Sequence, residues 1–297
     1  MLASLLALCA AARNLVVVNS AGRPETVRYI VRNVEMHFSD GRWQCLVMAW
    51  TGNGGLLKPA LQSSGCDLLV SPRARWGQFL AMLTPDLVSP YEHVAILLDD
   101  VFIPASGFFA VDVQFLLRTM REQALGAISP SVFGAHVRPM LQLKTGCLRR
   151  VRAIETFFTV YTRDAWLCMA RMLDSRNTGG CGYDFCFAQT CPRFQLAVDD
   201  RSAVYHMERA QPERWVVRTL SPEDRASLPL TWRPNKSISF ARVPRTDNPC
   251  ADADIDLVAR RHDCNYSTAF IDWDPLDPAC ALACKAPLHA LPLAMSV

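Results

Sequence analysis

The sequence predicts an α/β domain with a mainly parallel sheet flanked by helices, followed by a loop-rich C-terminal appendage. Three observations carry that expectation. Short apolar runs alternate with stretches whose apolar residues recur at helical spacing. The composition, 51% apolar and 20% charged over 297 residues, is that of a globular chain with enough length for one large core or a core plus an appendage. Beyond about residue 215 the alternation stops, and prolines, aspartates and turn residues dominate. The expected division is a possible leader over 1–12, the α/β domain over 13–214 and the appendage over 215–297.

In chain order, "NLVVVNSAG" (14–22) is a β-rich run closed by turn residues, a strand and then a loop. "RPETVRYIVRNVEMH" (23–37) has helical spacing with Pro24 near its start, and reads as a helix. "WQCLVMAW" (43–50) and "GCDLLVSP" (65–72) are the second and third strands, with a helix around "RWGQFLAML" (75–83). "HVAILLDD" (93–100) is the fourth strand, "DVQFLLRTMREQ" (112–123) a helix and "GAISPSV" (126–132) a strand. "ETFFTVYTRDAWLCMARMLD" (155–174) starts as a strand and turns helical near Arg163. "GYDFCFAQTC" (182–191) is a helix opened by a glycine turn, and "FQLAVDDRSAVYHM" (194–207) one or two short strands. The sequence contains no internal repeat.

Bulk properties narrow the function. A net charge of +3 does not argue for nucleic acid or an acidic membrane surface. Four of the 31 basic residues are lysine (Lys58, Lys144, Lys236, Lys285); the rest are arginine, which suits phosphate but also fits codon bias. The twelve cysteines include no C-x-x-C pair, so a zinc ribbon or redox motif lacks support. Disulfides in a secretory compartment and buried free thiols both remain open. "MLASLLALCAAAR" resembles the core and cleavage region of a signal peptide but is too short to span a bilayer. It fits a leader, the stub of a longer N-terminus with membrane association, or an ordinary first helix. Asn235-Lys-Ser and Asn265-Tyr-Ser are glycosylation sequons.

Ligands of an open α/β sheet bind at the carboxyl ends of its strands. Asp99 and Asp100 stand at such an end. Alone, the dipeptide reads as a capped turn. Ionised together, the pair needs donors or a cation, such as Mg²⁺ or Mn²⁺ carrying a nucleotide diphosphate. The turn after the first strand, with Asn19 and Ser20, has no G-x-G-x-x-G and no Walker pattern, which removes the usual support for dehydrogenases and P-loop enzymes. Asp184 follows a glycine-rich turn; it is a candidate general base or an acid favoured by a helix N-terminus. His206 closes a strand as a metal ligand or a structural hydrogen-bonder. Glu155 precedes an aromatic run. The tryptophan in "RW" (75–76), Trp166 and the phenylalanines of "ETFF" read as core.

In order and spacing, "RWGQFLAMLTPDLVSPYEHVAILLDDVFI" (75–103), "GAISPSV" (126–132), "IETFFTVYTRDAW" (154–166), "GYDFCFA" (182–188) and "AVDDRSAVYHM" (197–207) resemble plant and algal proteins of an uncharacterised domain family. That family is labelled as related to trans-splicing of lysine-ketoglutarate reductase, and its domain resembles GT-A glycosyltransferases. The resemblance runs from about residue 14 to 210. It implies a GT-A-like fold and transfer of a sugar from a nucleotide-sugar donor to a glycan or other hydroxyl acceptor, in the secretory pathway and most simply the Golgi. Asp99, Asp100 and His206 would hold Mn²⁺ or Mg²⁺, with Asn19, Ser20, Asp99 and Asp100 at the donor and Asp184 at the acceptor. Glu155 matches an acid of the pattern without an assigned role. Where relatives carry a third acid, this chain has Leu98 and Val101. That reduced cluster leaves a second expectation open: a non-catalytic carbohydrate- or nucleotide-binding relative. A nucleotidyltransferase is a third.

Overall fold

The computed structural model describes residues 13–23, 26–50, 54–62, 64–71, 74–107, 109–133, 147–180, 182–207, 221–226 and 274–275. The possible leader, both sequons and Cys181, Cys250, Cys264, Cys280 and Cys284 lie outside them.

Four strands form the parallel half of the sheet: β1 (Asn14–Ser20), β2 (Trp43–Ala49), β3 (Asp67–Val70) and β4 (His93–Leu98), in the order β3–β2–β1–β4. β1 and β2 are buried along their whole length, as strands covered on both faces must be, and their sequences are accordingly near-continuous apolar runs. The register aligns Ser20 with Ala49 and Asn19 with Leu98, so the three strands end together at one edge.

Beyond β4 the sheet turns mixed. β8 (Phe158–Thr162) lies antiparallel between β4 and β6 (Leu125–Phe133), and β6 pairs parallel with β9 (Gln195–His206). β7 (Leu148–Val151) and the short β10 (Asp274–Pro275) complete that edge, both antiparallel. A two-residue strand, β5 (Val101–Phe102), follows Asp100 and pairs with the end of β9.

The helices in chain order are α1 (Val27–His37), α2 (Gly54–Gln62), α3 (Trp76–Met82), α4 (Pro85–Val88), α5 (Val113–Glu122), α6 (Arg163–Ala170), α7 (Tyr183–Thr190) and α8 (Pro222–Ala226). Asp112 caps α5 by accepting from the Phe115 N–H, and Thr162 caps α6 by accepting from Ala165. α1 starts at Val27, four residues after the start expected from spacing, which leaves Arg23 in the preceding loop. α2 and β7 answer to no predicted element, and β9 is one strand of twelve residues rather than two short ones.

Cys45–Cys66 ties β2 to the approach to β3, and Cys168–Cys191 ties α6 to the end of α7. Cys147 and Cys186 are also disulfide-bonded. Of the described pieces of the segment after residue 215, one joins the sheet and the other is tied to α1 and the loop after β5. β10 extends β7, and Asp224 on α8 pairs with Arg32 and accepts from the Ser106 N–H. Among the described residues no helix is long and apolar enough to cross a membrane.

Candidate active site

Asp99 and Asp100 form the turn between β4 and β5, at the edge where β1, β2 and β4 end. The apolar residues after them explain their placement. Val101 and Phe102 are fully buried and zip onto β9, with Val101 opposite His206. The Met207 N–H donates to the Asp100 carbonyl at 2.7 Å, and the His206 Nε2 lies 3.5 Å from Asp100 Oδ2. The Phe157 ring packs against the imidazole, its centroid 4.7 Å away. Asp100 and His206, distant in sequence, are thus joined by strand pairing.

Asp99 is 5% exposed and faces the loop after β1. Its Oδ2 accepts from Ser20 Oγ (3.0 Å) and the Ala21 N–H (2.9 Å), and lies 2.9 Å from the Thr26 hydroxyl. The loop can wrap the carboxylate because Gly22 takes φ +67°, which favours glycine, and returns its N–H to Ser20 Oγ at 2.9 Å. Arg23 then reaches both acids. Its Nη2 donates to Asp99 Oδ1 at 3.1 Å and to Asp100 Oδ2 at 2.8 Å.

The two carboxyls titrate in opposite directions. Burial, with the neighbouring Asp100 charge, raises Asp99 above the usual carboxylate range despite Arg23, Thr26 and Ser20. Burial also works to raise Asp100, but the hydrogen bond and charge of His206, joined by Arg23, outweigh it and hold Asp100 low.

Asn19, Ala21, Arg23, Trp50, Trp76, Leu98, Asp99 and Asp100 line a cleft of about 370 Å³. Trp76 opens α3, and a tight contact fixes its position. A side chain at Gly180 would place its Cβ 2.7 Å from Trp76 Cδ1, and one at Gly77 would meet the Asn177 carbonyl at 2.0 Å. Gly180 and Gly182 both take positive φ, and Gly182 caps α7. The glycine-rich turn therefore joins the cleft wall to the helix that carries Asp184.

Asn19, Ser20, Asp99, Asp100 and His206 are brought together. Asp184 is not among the residues lining the cleft; it lies half-buried in the first turn of α7, where its charge acts on the buried Tyr161. Glu155 stands three residues before β8 and two before Phe157, whose carbonyl accepts from the Leu98 N–H. Trp166 and the phenylalanines of "ETFF" are core, but Trp76 is a cleft wall. Trp50 and Arg23 were not legible as site residues. The one signal for them is position: Trp50 directly follows β2 and Arg23 stands three residues beyond β1, two buried strands that end at the same edge.

The donor set suits a divalent ion poorly. Asp99 already has three donors at one oxygen and Arg23 at the other, and Asp100 Oδ2 is shared between Arg23 and His206. Among the described residues no three histidine, cysteine, aspartate or glutamate side chains stand together as a metal-holding group.

No family model matches the chain, and no curated protein does. Among solved structures, it aligns with S. aureus TarS at 10% identity and a TM-score of 0.48, over 67% of this chain and 61% of that one. The TarS complex with UDP aligns at 12% and 0.48, over 86% and 68%. The Pyrobaculum calidifontis mannosyltransferase in complex with GDP-Man and Mn²⁺ aligns at 13% and 0.45, over 69% and 60%. The chain spans about three fifths of the length of the first and last of these. Likeness at this level carries no functional weight.

Proposed function

We propose that the protein transfers a glycosyl group from a nucleotide-sugar donor to a hydroxyl acceptor at the Asp99–Asp100 cleft. The observation that carries this reading is the convergence of Asp99, Asp100, Arg23 and His206 at the carboxyl edge of the sheet, beside a cleft that Trp50 and Trp76 also line. The Arg23 guanidinium suits a diphosphate leaving group, and aromatic faces suit a base or sugar ring. The acceptor oxygen attacks the anomeric carbon, the bond from that carbon to the phosphate oxygen breaks, and the nucleoside diphosphate departs. Asp184 takes the acceptor's proton. Positioning and charge stabilisation do most of the work, because the donor bond is already activated. The disulfides support a secretory compartment, of which the Golgi is the simplest choice. Mn²⁺ and Mg²⁺, expected from the resemblance, enter no step here because the donor set fits them poorly.

A second reading, a non-catalytic nucleotide-binding relative, is favoured by one observation: Asp184 does not line the cleft. Both readings meet one experiment, in which the full chain is given a panel of UDP- and GDP-sugars with glycan acceptors and nucleoside diphosphate release is followed. The enzyme reading expects release with at least one donor, slowed about 10²- to 10⁴-fold in Asp184→Asn. Nucleotide binding without release leaves the binding module. Pyrophosphate release when the chain is given a nucleoside triphosphate and a sugar 1-phosphate would instead mark a nucleotidyltransferase.

A further inference from the structure

Two donors in this cleft have no acceptor among the described residues. The Asn19 amide, on a side chain only 4% exposed, has a buried Nδ2 without a hydrogen bond, and Arg23 has a buried Nε without one. Both residues line the cleft. A buried N–H without a partner is costly, and native structures rarely tolerate one without a reason. Two such groups beside one cleft call for an oxygen-rich ligand.

The guanidinium is also held in an unusual way. Two carboxylates, from adjacent residues, grip its Nη2 on one side. A point charge would need only one of them. A guanidinium is a planar fork that keeps donors in reserve while others are engaged, and it matches phosphoryl oxygens well. Asp99 is locked by the β1 loop and Asp100 by β9, so the fork's orientation is set by both sides of the sheet edge.

We propose that Arg23, clamped by Asp99 and Asp100, takes the place of a divalent cation and, with the Asn19 amide, holds the donor's diphosphate, so that nucleotide binding here does not require a metal ion. This rests on the nucleotide-sugar reading above. The two acids then act through Arg23 as positioning residues and do not touch the ligand's phosphates, from which like charge would repel them. Arg23 supplies the charge that opposes the departing diphosphate.

The test is titration calorimetry of the full chain with UDP and with GDP, first in EDTA and then in Mn²⁺. The dissociation constants in the two buffers are expected to agree within about threefold, and Arg23→Met to weaken binding about 10- to 100-fold. Asn19→Ala, a milder change should Arg23→Met fail to fold, is expected to weaken it about 5- to 10-fold. Because UDP chelates Mn²⁺ by itself, the free-ion paramagnetic signal is read against UDP alone and should not fall further when the protein is added. Tightening by about tenfold or more in Mn²⁺, with a further fall of the free-ion signal, would overturn this inference and leave the nucleotide reading standing. No binding of either nucleotide in either buffer would sink that reading and this inference with it.

Discussion

The chain contains the dipeptide Asp-Asp at two places where strands are involved, and the two could hardly be used more differently. Asp199 and Asp200 lie inside β9, both fully buried. There the pairing with β6 slips, from Pro130 opposite Asp199 to Ser131 opposite Ala203, so the intervening residues bulge out. Asp200 is gripped by Arg149, itself fully buried, and by the Ser131 hydroxyl; Asp199 is held by Arg201. Asp99 and Asp100 sit at a strand end instead, and their arginine is 35% exposed with donors to spare. Both pairs are bonded to arginine, one each for Asp199 and Asp200 and a single one shared by Asp99 and Asp100. At Asp200 the arginine is closed in, whereas the arginine of Asp99 and Asp100 lines a cleft.

Breaking each arginine tests that contrast, and the largest effect belongs to the closed-in one. Arg149→Met leaves Asp200 buried without its cation and is expected to cost about 3–5 kcal/mol, read from urea unfolding. Arg23→Met should cost only about 1 kcal/mol by the same measurement, since its side chain is partly solvated. Equal losses would erase the distinction. The carboxylates give the next effect. Asp200→Asn should cost about 2–3 kcal/mol, whereas Asp100→Asn should cost about 1 kcal/mol in stability and slow diphosphate release tenfold or more.

The smallest effect separates the two acids of the site from each other. Asp100, held low in the fold, adds stability above the ordinary carboxylate value that is lost as pH falls through its folded value. Asp99, held high, contributes the opposite way: its share is full below the ordinary value and is lost as pH rises through its folded value. Melting temperatures from about pH 3 to 6 should therefore show a flatter acid limb in Asp100→Asn and a steeper rise with pH in Asp99→Asn, each amounting to under about 1 kcal/mol. Matching profiles would mean that the two carboxyls are not held differently.

The same contrast shows where sequence reasoning succeeds. Strands buried on both faces, such as "NLVVVNS" and "HVAILL", announce themselves as apolar runs, and α5 and α6 carry caps that can be read directly. β7, "LRRV", hides because its fully buried Arg149 looks like a surface residue until Asp200 is brought to it. β9 looks broken because "DDRS" has turn composition, yet the bulge absorbs it. α2 hides behind two opening glycines and an internal Pro59. At the site, the acids and His206 are legible as residue types at strand ends. Arg23 is not, because its role comes from contacts more than seventy positions along the chain.

The pairing of β5 with the end of β9 sets when the cleft can exist. Among the described residues, Val101 and Phe102 have no strand partner other than His206 and Tyr205, so Asp100 is fixed only once the end of β9 has been synthesised and zipped into register. Such long-range closures form late, after local helices and hairpins. A nascent chain stalled before the end of β9 would lack the pairing that fixes Asp100. The cleft is thus completed only when β9 has arrived and paired.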